Sequence, residues 1–115
     1  MPTWRDPDSL FDIVDSARLI LRYAGKLSQQ QFLSDEFTQD AVLRRFLVIG
    51  KAAKRLSAEF RAAHPEVPLR EMAAFRDFAV HNYSGVDFAR VWAVVHADLP
   101  AIIDQLEPLI PLDEA

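Results

Sequence analysis

The sequence contains no cysteine. Disulfides and thiolate metal sites are therefore excluded, and a reducing compartment is compatible with the composition. Glycine occurs only at Gly25, Gly50 and Gly85, so there is no glycine-rich phosphate loop and the chain is not expected to bind ATP itself. No apolar run approaches the roughly 20 residues of a membrane span. The opening stretch MPTWRDPDSL lacks the basic start and apolar block of a signal peptide, so a cytoplasmic protein with no membrane contact is expected. Strand-like alternation is missing, as is any serine-nucleophile motif. The histidines His64, His81 and His96 show no metal-ligand spacing. No metal and no cofactor are expected in this chain.

What is present fits one globular domain over residues 1–115, with a frayed tail from about residue 111. Half of the 115 residues are hydrophobic and 26% are charged. A chain of this size buries roughly two thirds of its unfolded surface and needs no covalent staples. The net charge of −4 argues against a sequence-blind nucleic-acid coat, which is normally basic. It leaves room for a local basic site that touches a few phosphates.

Apolar residues recur at intervals of three and four, the helical period. A first helix is expected from Asp8 or Ser9 to about Leu27, burying Leu10, Ile13, Val14, Ala17, Leu21 and Ala24. Ser28 can cap a short extra turn through QQQF. A second, long helix is expected from Glu36 or Thr38 to just before HPEVP, with Val42, Phe46, Ile49, Ala53, Leu56 and Phe60 on its buried face. Pro65 and Pro68 end it. A third helix is expected from Leu69 to the region of His81, followed by a turn at NYSG. Asp87 can cap a last helix, which Pro100 should kink or split near Asp98. The expectation is an all-α, four-helix-type bundle with a kinked last helix and a short extra helical turn. Trp4, Trp92 and the phenylalanines read as core or interface.

The third helix ends on FRDFAVHNY, residues 75–83. Arg76, His81 and Tyr83 interrupt an otherwise apolar run. Five residues of ideal helix turn through about 500°, leaving Arg76 and His81 about 140° apart. They meet if the helix ends at His81, or if a second chain supplies a partner. Histidine moves protons near neutral pH. Arginine offers a planar fork of donors suited to phosphate oxygens, and tyrosine adds a hydroxyl and a stacking ring. Together they suit phosphodiester chemistry in RNA, where the 2′-hydroxyl is the nucleophile. The same residues also fit a plain helix C-terminus, where cations favour the dipole, followed by a half-buried turn tyrosine.

The stretch RDFAVHNYSGVD with VWAVVHADLP resembles the HEPN superfamily, and specifically the HepT-like family with its R-x-x-x-x-H-x-Y motif. FLSDEFTQDAVLRR and VIGKAAKRLSAEFRAAHPEVP are similar to that family too, so the likeness runs from the first helix to about Leu106. The resemblance implies a HEPN-type bundle, a homodimer, and a metal-independent endoribonuclease toxin with Arg76 and His81 as catalytic pair. It also implies a partner antitoxin, the MNT minimal nucleotidyltransferase, which uses ATP and magnesium to transfer AMP to Tyr83. One departure is Lys51, where the family often has glutamate after the glycine. A rival reading keeps the same residues in a non-catalytic helical subunit that binds a nucleotidyltransferase and serves as its acceptor or substrate-presenting partner.

Arg44, Lys51 and Arg55 are spaced seven and four apart on one face of the second helix, with Lys54 and Arg61 on a neighbouring face. This arrangement fits an ordinary solvated helix face first, since interspersed charge is normal surface chemistry, and a surface contacting RNA phosphates second. His64 and His96 are assigned no role.

Overall fold

The computed structural model describes residues 5–77 and 85–111. Trp4, the end of the motif stretch and the tail beyond residue 111 lie outside the described residues. Among the described residues the regular structure is entirely helical.

Helix α1 spans Asp6–Ala24. Pro7 lies in its first turn, where a missing N–H is no loss. Asp6 and Asp8 lie there too, favoured by the helix dipole. Its inward face is Leu10, Ile13, Val14, Ala17, Ile20 and Ala24, all buried. The helix stops three residues earlier than the expected Leu27, and Gly25 N donates to Leu21 O at the cap. Helix α2, Gln29–Leu33, opens with a capping box in which Ser28 and Gln31 satisfy each other's backbone N–H. It carries one fully buried side chain, Phe32, set edge-on to Phe88 at 6.1 Å. Gln39 Nε2 donates to Phe32 O and ties this short helix down.

The long second helix of the sequence reading is two helices. Helix α3 runs Glu36–Arg55 and α4 runs Ala58–Ala63. The break has an identifiable cause. Leu56 leaves the helical region at φ −64°, ψ 139°, and Ser57 Oγ accepts from Phe60 N to start α4. Asp6 of α1 accepts from both Ser57 N and Ser57 Oγ, at 2.9 and 2.6 Å. Arg61 folds back to donate to Ala53 O and Leu56 O, partnering carbonyls that a helix end leaves open. Serine side chains compete with the helical backbone through such local bonds, and here Asp6 holds Ser57 in place as well. Phe60 is buried as expected, but from α4.

Helix α5, Leu69–Ala74, is shorter than the expected third helix. It pauses at Phe75, and helical conformation resumes at Arg76 and Asp77. Helix α6 covers Phe88–Ala97, with Asp87 accepting from Arg90 N as its cap. Helix α7 covers Leu99–Leu106 with Pro100 in its first turn, and a 3-10 turn Glu107–Leu109 follows. The split at Asp98 is the one expected from Pro100.

The α1–α3 pair forms the most extensive helix interface, and α5 packs on α3 while α7 packs on α1. The core between them holds Ile13, Ile20, Phe46, Ile49, Met72, Leu99 and Leu106, each fully buried. His96 has a structural role. Its ring stacks on Trp92 at 4.2 Å, and its two nitrogens lie 2.9 and 3.1 Å from Trp92 O and Gly25 O. It therefore joins α6 to the end of α1. Trp92 Nε1 adds a bond to Leu27 O.

Candidate active site

Arg76 lies two residues past the end of α5, where the chain passes against α3. Phe75 is buried and meets Phe46 of α3 edge-to-face, with ring centroids 5.1 Å apart and planes at 77°. This contact fixes the residue directly before the arginine. Arg76 itself is half-buried. Its Nε is buried and has no hydrogen-bond partner among the described residues. A guanidinium nitrogen removed from water without an acceptor is costly, so an anion reaching it would be favoured. Gly50 of α3 lies directly against this residue: a side chain there would meet Arg76 Cβ.

His81 and Tyr83 lie outside the described residues. The segment carrying them is flanked by Asp77 and Gly85, and both border a cleft of about 450 Å³. Phe75, Glu71, Asp87, Arg90 and Asp98 also line it. Among its described lining residues carboxylates outnumber cations, so this wall is unfavourable to phosphate. The basic candidates are on α3.

The structure sorts those candidates. Arg44, Lys51 and Lys54 are exposed. Arg55 is not: Nη2 pairs with Asp12 Oδ2 of α1 at 3.2 Å, and its side chain is 24% exposed. Burial holds the Asp12 carboxyl above its ordinary pKa against the pull of Arg55, and Asp15 and Asp8 add to the rise. Arg61 caps α3. Sequence reasoning found the periodicity of these charges but not their partners, since Asp12 lies 43 residues from Arg55. It also passed over Gly50. The available signal was a lone glycine inside a helical pattern, which lowers helix stability and calls for a packing reason. Among the described residues no group of three His, Cys, Asp or Glu side chains is placed to hold a metal ion.

The ribonuclease HepT-like family matches residues 13–109. The chain belongs to the HepT-like ribonuclease family, within the HEPN superfamily. A protein of Thermococcus cleftensis named "Probable ribonuclease HepT" is 39% identical over 102 residues, which cover 89% of this chain and 93% of that protein. A Methanocaldococcus jannaschii protein named a "putative RNase" is 35% identical over 101 residues, 88% of this chain and 84% of its own. A second protein of that organism, named as a gamma-glutamylcyclotransferase and "putative RNase", is 37% identical over 94 residues. Those residues are 82% of this chain but 42% of that longer protein. No solved structure matches the chain.

Proposed function

We propose that this HepT-like protein is a metal-independent endoribonuclease, the toxin of a HepT/MNT pair, acting as a homodimer and silenced by AMP transfer to Tyr83. The observation that carries the reading is Arg76. In a chain matched to a ribonuclease family over nearly its whole length, the arginine of R-x-x-x-x-H-x-Y stands half-buried with an uncommitted Nε.

In the proposed reaction the RNA 2′-oxygen attacks the adjacent phosphorus, and the bond from phosphorus to the 5′-oxygen breaks. His81 carries protons between the attacking and leaving oxygens. Arg76 stabilises the pentavalent oxyanion. The nucleophile belongs to the substrate, so the scheme calls for no metal-bound water. Because the cleft beside Asp77 is acidic, the RNA backbone is proposed to approach from the α3 side, past Lys51 and Arg44. ATP and magnesium serve the partner transferase. AMP on Tyr83 would add bulk and negative charge where the substrate phosphate binds. No helix among the described residues is long and apolar enough to cross a membrane, in keeping with the proposed cytoplasmic site of action.

The test is RNA cleavage in EDTA. Arg76→Ala and His81→Ala should each lower the rate by about 100-fold or more while remaining folded. Cleavage by both variants at the wild-type rate overturns the ribonuclease reading. It would leave the rival of a non-catalytic acceptor subunit. With ATP, magnesium and the transferase, Tyr83→Phe should gain no AMP mass, and labelling that persists there moves the acceptor elsewhere.

A further inference from the structure

The contact between α3 and the Arg76 segment leaves no room for even one methyl group. A Cβ built on Gly50 would lie 2.7 Å from Arg76 Cβ, 3.0 Å from Arg76 N and 3.1 Å from Ala73 O. All three atoms are backbone or fixed directly to it, so no change of rotamer relieves the overlap. Gly50 is itself buried and has ordinary helical surroundings on α3, and no described glycine has a positive φ. Its value is therefore the space it leaves and not backbone freedom. Glycine in mid-helix is destabilising relative to alanine, so something else must favour it here. Two observations meet at this point. The approach is to the residue whose Nε is buried without a partner, and the preceding residue, Phe75, is clamped by Phe46 one turn before Gly50 on α3.

We propose that Gly50 is the positioning residue of the site: by having no side chain, it seats the Arg76 backbone against α3 and so fixes where the guanidinium is held for a substrate phosphate. The inference rests on the reading of Arg76 given above, but the two fail separately. Gly50→Ala would push the Arg76 segment off α3 without deleting either side chain of the catalytic pair. Placement errors of about 1 Å cost about 100-fold in rate, so a smaller displacement of a few tenths of an ångström should lower kcat by roughly 10-fold.

The first measurement needs no activity. In protein labelled with ¹⁵N-arginine, the Arg76 Nε–H resonance is assigned by its disappearance in Arg76→Lys. Gly50→Ala should shift it, and should shift it more than the Nε–H resonance of Arg61, which is bonded to Leu56 O. An unmoved Arg76 resonance in folded Gly50→Ala protein overturns the proposal. Should Gly50→Ala not fold, adding Arg76→Gly removes the 2.7 Å contact from the other side and should restore folding. A double variant no more stable than Gly50→Ala alone means that the Arg76 Cβ contact, the tightest of the three, does not set the seating, and also overturns the proposal.

The second measurement is a double-mutant cycle on RNA cleavage. Gly50→Ala should lower kcat with KM changed by less than about 3-fold. In an Arg76→Ala background it should lower kcat no further, although the thermal midpoint still falls, because the alanine keeps the Cβ and N that Gly50→Ala overlaps. Independent, additive losses mean that Gly50 does not act through Arg76. If Arg76→Ala alone cleaves at the wild-type rate, the ribonuclease reading of Arg76 falls, and the Nε–H shift decides the seating by itself.

Discussion

Phe46→Leu separates stability from site geometry. Phe46 is fully buried on α3 and its ring meets Phe75 edge-on at 5.1 Å. Leucine fills most of the space but removes the aromatic pair, worth about 0.5–1.5 kcal/mol. The unfilled volume, about 25 Å³, adds about 0.6 kcal/mol at the usual cavity coefficient. The expected loss is about 1–2 kcal/mol. For a domain of this size that lowers the thermal midpoint by roughly 4–10 °C. Ile20→Val on α1 is the control: Ile20 is also fully buried, and the change costs about 0.5–1.5 kcal/mol. Both midpoints are read by far-ultraviolet circular dichroism. Cleavage is then compared at a temperature where both proteins are folded. Phe46→Leu frees the residue preceding Arg76, so its kcat should fall by about 10-fold, while Ile20→Val keeps the wild-type kcat. Equal activity in the two variants refutes the argument that the Phe46–Phe75 contact holds the site.

Ser57→Ala removes the cap on Phe60 N and one of the two bonds to Asp6; it should cost about 1–2 kcal/mol, read as a lowered urea midpoint with unchanged slope, and an unchanged midpoint means the α3–α4 break is held by something else. Asp35 caps α3, and the bond from Thr38 N, then that from the Thr38 hydroxyl, holds its pKa below the ordinary 3.8. Its charged form therefore favours the fold above pH 3.8, and that contribution is lost as pH falls through the lower, folded pKa. Asp35→Asn keeps a capping oxygen without the titration, so its midpoint should differ from wild type at pH 6 and converge on it in strong acid. A difference that stays constant with pH refutes the assignment.

Most of the architecture was legible because local chemistry decides it. Ser28 and Asp87 act through bonds to residues three positions away and Pro100 through the N–H it lacks, and each did what its type predicts. The all-α class followed from the three-and-four spacing that Ile13, Ala17, Phe46 and Ile49 show in the core. The misreading at Leu56–Ser57 has the opposite origin. The apolar spacing continues unbroken from Ala53 through Leu56 to Phe60, so periodicity alone favours one helix. The break depends on Asp6, which is 51 residues away and gives no local signal. The same holds for Gly50. Its rank as a poor helix former was visible, but the reason, Arg76 on a crossing segment, is a tertiary fact.

Basic residues at helical spacing suggested a shared surface, and the structure divides them by what already holds them. Arg55 is largely covered and bound to Asp12, whose own partial burial opposes ionisation; removing the arginine would leave a half-buried carboxylate without that partner. Arg55→Ala should therefore lower stability and leave RNA binding nearly unchanged. Arg44 and Lys51 are exposed and join Arg76 as the cations proposed to meet phosphate. Each contact to single-stranded RNA contributes about 0.7 to the slope of log Kd against log salt. Three contacts give a slope of about 2, and a fourth from Arg55 would bring it near 3. Binding is measured with His81→Ala protein, so that the RNA survives, across a series of potassium chloride concentrations. Lys51→Ala should reduce the slope by about 0.7 and Arg55→Ala should not change it. Equal reductions in the two variants would mean that the Asp12 pair opens to RNA, and that the partners seen in the free protein do not decide which cations the substrate meets.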